Sequence, residues 1–101
     1  MVGKFKVITL CGSTKYKEEF LREQERLTLE GNIVISVVFF EHFDGEVRSE
    51  KIKEMLDEMH KRKIDMADEI LVINKDKYIG ASTKSEIEYA VKTNKKVNYM
   101  E

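Results

Sequence analysis

A short polar loop after an apolar run is the first segment of this sequence whose residue types suggest chemistry. It contains Cys11, Gly12, Ser13, Thr14 and Lys15. A chain that leaves a strand through a glycine and enters a helix presents backbone N–H groups beside the positive end of the helix dipole, which favours a phosphate or a sugar hydroxyl. We therefore predict that these residues bind substrate. The alternative is a plain turn in which Ser13 or Thr14 caps the helix.

Cys11 is also a candidate nucleophile, because a helix N-terminus lowers the pKa of a thiol. A tyrosine-phosphatase loop needs an arginine six residues later, and Lys17 stands there without the bidentate grip on phosphate. A phosphoryl-carrier cysteine, as in the small IIB components of sugar phosphotransferase systems, fits the chain length and strand number. The alternative is a small buried hydrophobe at a strand end. The dinucleotide and P-loop fingerprints do not occur in the sequence.

Glu86 and His60 are the candidate catalytic residues. Glu86 follows Gly80, Ser82 and Thr83, which we predict to bind substrate, and a carboxylate there suits attack on the anomeric carbon of a sugar. The alternative is a capping box between Thr83 and Glu86 at the start of a helix. A histidine that titrates near neutrality suits protonation of a departing nucleobase. The alternative for His60 is a solvated residue in a charged stretch of helix.

The next apolar run ends in two phenylalanines, and the other histidine of the sequence follows it. Phe39, Phe40 and His42 are candidates to stack on a base, but Phe39 and Phe40 point to opposite faces and at least one of them is expected in the core, so we assign Phe40 and His42 to substrate binding. His42 and Asp44 have a spacing found among metal ligands, but two ligands do not make a site. We predict no metal and no cofactor.

The elements that must position these residues follow from hydrophobic periodicity, which predicts the order β-α-β-α-β-α-β. Parallel strands with crossover helices on both faces then give one α/β domain over residues 1–101, flavodoxin- or Rossmann-like, with three α/β/α layers and strand order 2-1-3-4. Ligands in such folds bind beyond the carboxyl ends of the strands. We predict strands at residues 5–10, 33–40, 70–73 and 96–100, of which the second is expected to be covered on both faces. Helices are predicted from residue 13 or 14 to about 30, from about 49 onward, and at 83–93. The loops predicted to bind the ligand are residues 11–15, 41–48 and 74–86.

Composition restricts the class of protein. Of the 101 residues, 42% are apolar and 37% charged, and the formal net charge is −1, which argues against a binder of nucleic-acid polymers. No apolar run reaches 18 residues, so no membrane partner is expected, and the charged start is unlike a signal peptide. A single cysteine fits a reducing compartment, so we predict a cytoplasmic protein.

Three segments carry a family resemblance: Cys11-Gly12-Ser13, residues 64–68 (IDMAD) and residues 80–90 (GASTKSEIEYA). Together, in this order, they resemble the nucleoside 2-deoxyribosyltransferase family and its relatives that hydrolyse deoxynucleoside monophosphates. The resemblance implies that Glu86 attacks the anomeric carbon and that Gly12 and Ser13 hold the sugar or its 5′-phosphate. The sequence departs from the family where His60 replaces an aspartate, and where Gly80 and Ala81 replace acidic residues.

The resemblance leads to a functional hypothesis. We predict an enzyme that cleaves or exchanges the N-glycosidic bond of a (deoxy)nucleoside or its 5′-monophosphate through a covalent intermediate on Glu86. The alternatives are a nucleotide-binding module without catalysis and a Cys11 phosphoryl carrier.

The resemblance also implies a homodimer. The second helix carries an apolar stripe that a partner subunit would cover, whereas the alternative buries it within one chain; its methionines are predicted to fill the core rather than bind a ligand. The stripe consists of Val47, Ile52, Met55, Leu56 and Met59, and Met66 follows it.

Overall fold

The computed structural model describes residues 1–41 and 49–101. Within these ranges the strands form one parallel sheet in the order β2-β1-β3-β4, which confirms the predicted order. The elements are β1 (Val7–Gly12), α1 (Lys17–Leu29), β2 (Ile33–Ile35), α2 (Glu50–Asp65), β3 (Glu69–Ile73), α3 (Ala81–Lys92) and β4 (Lys96–Tyr99).

Two hydrophobic clusters lie on opposite faces of the sheet and confirm the three-layer α/β/α architecture. Successive side chains of a strand point to opposite faces, so neighbouring residues of β1 and β3 enter different clusters. One cluster packs against α1 and the other against α2 and α3. The first contains Ile8, Leu10, Phe20, Leu27, Leu71 and Ile73, and the second contains Cys11, Ile64, Ile70, Val72 and Ala90.

The first strand begins and ends two residues later than predicted. Phe5 is exposed and forms an isolated bridge with Val2, so it lies outside the sheet. Cys11 and Gly12 pair with Val72 and Ile73 of β3, which extends β1 to the edge of the candidate site. Here the two backbones are so close that a Cβ atom at Gly12 would lie 2.8 Å from the carbonyl oxygen of Ile73. Only glycine fits this position without movement of β3.

The second strand is shorter than predicted and is not covered on both faces. Within the described ranges it pairs only with β1, over Ile33 to Ile35, and Ile33 is exposed. A strand at the outer edge of a sheet has one hydrogen-bonded neighbour. The apolar residues after Ile35 can therefore turn away from the sheet at the loss of hydrogen bonds to one strand and not to two. Val37, Val38 and the two phenylalanines after them line a cleft instead.

The first helix starts with a short 3₁₀ turn at Thr14–Tyr16, and Ser13 caps this turn by accepting a hydrogen bond from the N–H of Lys15 at 3.3 Å. The predicted cap is therefore present, one turn before α1. None of the helices in residues 1–41 and 49–101 combines the length and apolarity that crossing a membrane requires.

The methionines of α2 do not fill the core as predicted. Met55, Met59 and Met66 are 51%, 43% and 67% exposed, whereas His60 and Ile64 are the buried residues of this helix. Residues 55, 59 and 66 lie on one side of a helix with a turn of 3.6 residues, roughly opposite Ile64. The helix thus presents methionines to solvent and uses a histidine to contact the sheet.

Candidate functional site

A cleft of about 850 Å³ lies at the carboxyl edge of the sheet, where parallel α/β proteins bind ligands. Its walls come from the turn after β1, the segment after β2, one face of α2 and the first turns of α3. The described lining residues are Gly12, Ser13, Thr14, Lys17, Val37, Val38, Phe39, Phe40, Glu41, Lys53, Leu56, Asp57, Met59, His60, Lys63, Tyr78, Gly80, Ala81, Ser82, Thr83 and Glu86.

The structure brings most of the predicted site residues together in this cleft. Two predicted residues are not among the lining residues: Cys11 is fully buried behind the wall, and Lys15 is exposed, with its Nζ 3.8 Å from the centroid of the Tyr78 ring. The predicted roles of His42 and Asp44 fall on residues outside the described ranges. The predicted residues that line the cleft are Gly12, Ser13, Thr14, Phe40, His60, Gly80, Ser82, Thr83 and Glu86.

The alternative interpretation of Glu86 as part of a capping box is wrong. Helix α3 begins at Ala81 with Gly80 as its N-cap, two residues before the predicted start. Thr83 is therefore a buried residue within the first turn, and Glu86 lies in the second turn, beyond the N–H groups that a cap satisfies. The hydroxyl side chains misled the prediction, because Ser and Thr are typical N-caps. The Glu86 carboxylate instead faces the cleft.

Glu86, His60 and Cys11 form a compact cluster at the base of the cleft. The Nε2 atom of His60 lies 3.4 Å from the Sγ atom of Cys11 and 3.8 Å from the Oε1 atom of Glu86. His60 is only 6% exposed, so the alternative of a solvated helix residue is wrong. Three separate elements, β1, α2 and α3, supply these side chains.

Burial dominates the electrostatics of this cluster. Desolvation, together with the negative charge of the nearby Asp57, raises the pKa of Glu86 from 4.5 to about 7. Desolvation lowers the pKa of His60 from 6.5 to about 4, with a smaller contribution from the positive charge of Lys63. Burial, together with Glu86, raises the pKa of Cys11 well above its usual range. The expectation that His60 titrates near neutrality is therefore wrong, because the site disfavours the imidazolium ion.

Sequence reasoning missed three charged residues of α2 that line the cleft, Lys53, Asp57 and Lys63. Asp57 and Lys63 are each three residues from His60, so they share one side of the helix with it, and this spacing was the available signal. The Nζ atom of Lys63 donates a hydrogen bond to the carbonyl of Ser36 at 2.9 Å, which ties α2 to the segment after β2. Asp57 adds a second carboxylate to the lining of the cleft.

The two phenylalanines after β2 have different environments. Phe39 packs edge-on against Phe20 of the core, with the ring centroids 5.5 Å apart. Phe40 is 42% exposed and lines the cleft. The prediction chose Phe40 for stacking on a base, and its ring is the more exposed of the two.

Comparison with known proteins found no matching family model, no matching curated protein and no matching solved structure. The class is therefore defined by the fold and the cleft alone: a flavodoxin-like α/β protein with a largely buried carboxyl group at the base of an open cleft.

Proposed function

We propose that this chain binds a (deoxy)nucleoside or its 5′-monophosphate and cleaves or exchanges its N-glycosidic bond, with Glu86 as the nucleophile. The observation that supports this most strongly is the position of Glu86. Its carboxyl group lies at the base of the cleft, takes no part in capping α3, and is largely removed from water. In residues 1–41 and 49–101, the only basic group at salt-bridge distance from this carboxylate is the imidazole of His60, which is uncharged at neutral pH. A desolvated carboxylate of this kind is a strong nucleophile toward an electrophilic sugar carbon.

The reaction has two steps in this proposal. One carboxylate oxygen of Glu86 attacks C1′ of the sugar, the C1′–N bond breaks, and its electron pair leaves with the nucleobase, which takes a proton from water in the open cleft. Water, or a second nucleobase, then attacks C1′ and releases the carboxylate. The first outcome is hydrolysis and the second is exchange of bases. His60 remains uncharged and holds its ring against Glu86, so it acts as a positioning residue and not as the acid.

The remaining walls suit the other parts of such a substrate. The backbone from Gly12 to Thr14 lies beside the first helical turns, where N–H groups favour the sugar or its 5′-phosphate. The exposed ring of Phe40 offers a stacking surface for a base. Asp57 offers acceptor oxygens for sugar hydroxyl groups.

The burial of Cys11 argues against the phosphoryl-carrier alternative. Its side chain is 0% exposed, and burial raises the pKa of its thiol. A carrier cysteine must reach a phosphoryl donor as a thiolate, so it needs access and a lowered pKa. Cys11 has neither.

The proposed function is tested by incubating the protein, treated with a chelator to remove metal ions, with a panel of deoxynucleosides and their 5′-monophosphates, with and without an acceptor base. Chromatography measures the free and exchanged bases, and we expect release or exchange of the base from at least one member of the panel. Lack of reaction with every member would remove the enzyme hypothesis. Binding without turnover would support the binding module, and phosphate transfer that only Cys11→Ser abolishes would support the carrier.

We also propose a cytoplasmic homodimer in which α2 faces its partner. The exposed methionines are the supporting observation, because about half of the surface of Met55 and of Met59 stays exposed within the described residues. Val47, a predicted member of the stripe, lies outside the described residues. A twofold interface would place this same helix face on both subunits.

The dimer predicts that light scattering at roughly tens of micromolar protein gives twice the chain mass, a range suited to micromolar dissociation constants. Met59→Lys should convert the protein to a monomer, because it places two like charges in the apolar interface. Glu54→Lys, an exposed position about 100° around the helix from Met55, is the control and should stay dimeric. A monomeric wild type would refute the dimer, and a dimeric Met59→Lys variant would refute the role of α2.

A further inference from the structure

One cluster in the described residues, and one only, joins three side chains of types that bind metal ions: the thiol of Cys11, the imidazole of His60 and the carboxyl of Glu86. Their ligand atoms all lie within 4.8 Å of one another. We propose that these three residues form a binding site for a divalent transition-metal ion of the Zn²⁺ type at the base of the cleft. The sequence analysis predicted no metal, because it considered only the pair of His42 and Asp44.

The distances fit a tetrahedral ion after small side-chain movements. With bonds of about 2.0–2.3 Å, a tetrahedral Zn²⁺ ion separates its ligand atoms by roughly 3.3–3.6 Å. The Sγ atom of Cys11 and the Nε2 atom of His60 are 3.4 Å apart, and Nε2 is 3.8 Å from the Oε1 atom of Glu86. Two of the three distances between the ligand atoms therefore differ by only a few tenths of an ångström from those around a bound ion.

The mixture of ligands selects the class of ion. A sulfur, a nitrogen and an oxygen ligand suit Zn²⁺ and Co²⁺, whereas Mg²⁺ and Ca²⁺ prefer sites made of oxygen. The thiolate and the carboxylate together supply two negative charges, which neutralise a divalent ion in this largely desolvated place. On binding, the thiol forms a metal–sulfur bond and gives its proton to solvent, as any proton on Glu86 does.

The surroundings hold the ligands in place and leave one coordination position open. Cys11 is fixed by the pairing of β1 with β3, and the helices α2 and α3, which carry His60 and Glu86, pack on the same face of the sheet as Cys11. His60 and Glu86 line the cleft, which gives the ion a route from solvent. Three protein ligands with a fourth position toward the cleft resemble the arrangement of catalytic rather than structural zinc sites.

Metal binding at this place does not depend on the proposed function, but it has a consequence for it. A carboxylate that ligates Zn²⁺ cannot attack a sugar carbon, so the metal-bound chain would not release bases. This consequence alone rests on the role of Glu86 as nucleophile. The same three atoms would then give the protein an active and a metal-inhibited form.

Titration of the chelator-treated, dialysed protein with Co²⁺ tests the site by absorption spectroscopy. We expect one Co²⁺ per chain, visible bands typical of a four-coordinate ion, and a near-ultraviolet band from thiolate-to-cobalt charge transfer. Zn²⁺ should displace Co²⁺ with a dissociation constant in the micromolar range or below, and Mg²⁺ should not. Cys11→Ser should abolish the charge-transfer band. His60→Ala and Glu86→Gln should each weaken metal binding by at least about 10–100-fold. That is the loss observed when a residue that only supports a metal ligand is removed, and these residues are ligands themselves.

His42→Ala is the matched control, because His42 is the other of the two histidines in the sequence. It should bind Co²⁺ and Zn²⁺ like the wild type. The absence of Co²⁺ and Zn²⁺ binding by the folded wild type would overturn the proposal, as would unchanged affinity in Cys11→Ser or loss of binding in His42→Ala alone. If Cys11→Ser does not fold, as circular dichroism would show, the charge-transfer band of the wild type decides, since the chain has one thiol.

The substrate panel is assayed with chelator, so the two proposals fail separately. Metal binding without base release would refute only the proposed function, and base release without metal binding would refute only the metal site.

Discussion

Glu86→Gln is expected to lower the rate of base release at least on the order of 10³-fold, while the affinity for nucleoside changes little. Glutamine has almost the same shape as glutamate, so the walls of the cleft stay in place, but its amide cannot form the glycosyl ester. Loss of the nucleophile in an enzyme with a covalent intermediate removes most of the acceleration of the chemical step. The measurement compares single-turnover rates and ligand affinities of the two proteins in the presence of chelator.

Glu88→Gln is the control for this experiment, because Glu88 is an exposed residue of the same helix and lies outside the cleft lining. It should retain the wild-type rate. A Glu86→Gln variant whose rate stays within tenfold of the wild type would show that another group carries out the reaction.

Glu86→Gln is also expected to stabilise the protein at alkaline pH. The folded state raises the pKa of Glu86 from 4.5 to about 7, so between these values the folded chain holds a proton that the unfolded chain has released. The free energy of unfolding therefore decreases as the pH rises through this window, and the cost of the buried charge is complete above it. Removing that charge should raise the free energy of unfolding by about 1–3 kcal/mol at pH 8 and by much less at pH 5.

Urea denaturation of both proteins at the two pH values, with chelator present, measures this difference. His60 acts in the opposite direction: its pKa is lowered to about 4, so it contributes stability that is lost as the pH falls from 6.5 toward 4. His60 is present in both proteins, and the difference between them therefore reports mainly on Glu86. The exposed Glu88→Gln control should change stability by less than about 0.5 kcal/mol at either pH. An equal effect of Glu86→Gln at pH 5 and pH 8 would contradict this account of the site.

The order of elements and of strands was predictable because it depends on coarse features. Apolar runs of strand length alternate with segments of helical periodicity, and the rules for parallel crossovers leave few arrangements. The extent of β2 was not predictable in this way. An apolar run such as residues 33–40 looks the same whether it is buried in a sheet or lines a cleft, and only the position of β2 at the edge decides between them.

The members of the site were partly predictable, and their contacts were not. The convergence of loops at the carboxyl edge nominated Gly12, Ser13 and Glu86 correctly as neighbours of one cleft. The contact between Cys11 and His60 depends on side-chain conformations from two elements, which no pattern in the sequence encodes. The charged residues beside His60 also suggested exposure, although consecutive helical residues point in directions about 100° apart and a buried residue fits between charged ones.

The shortness of β2 has a consequence for how the molecule behaves in concentrated solution. A long, flat edge strand is a template on which other chains add by backbone hydrogen bonding, and such addition starts aggregation. Here the ladder at this edge covers only Ile33 to Ile35, and just beyond it the carbonyl of Ser36 already accepts a hydrogen bond from Lys63. An incoming strand could therefore pair with only three residues, and so few backbone hydrogen bonds are not favoured over the hydrogen bonds that the same groups make with water. The same departure from the sheet that opens the cleft thus protects this edge of the sheet against the addition of further strands.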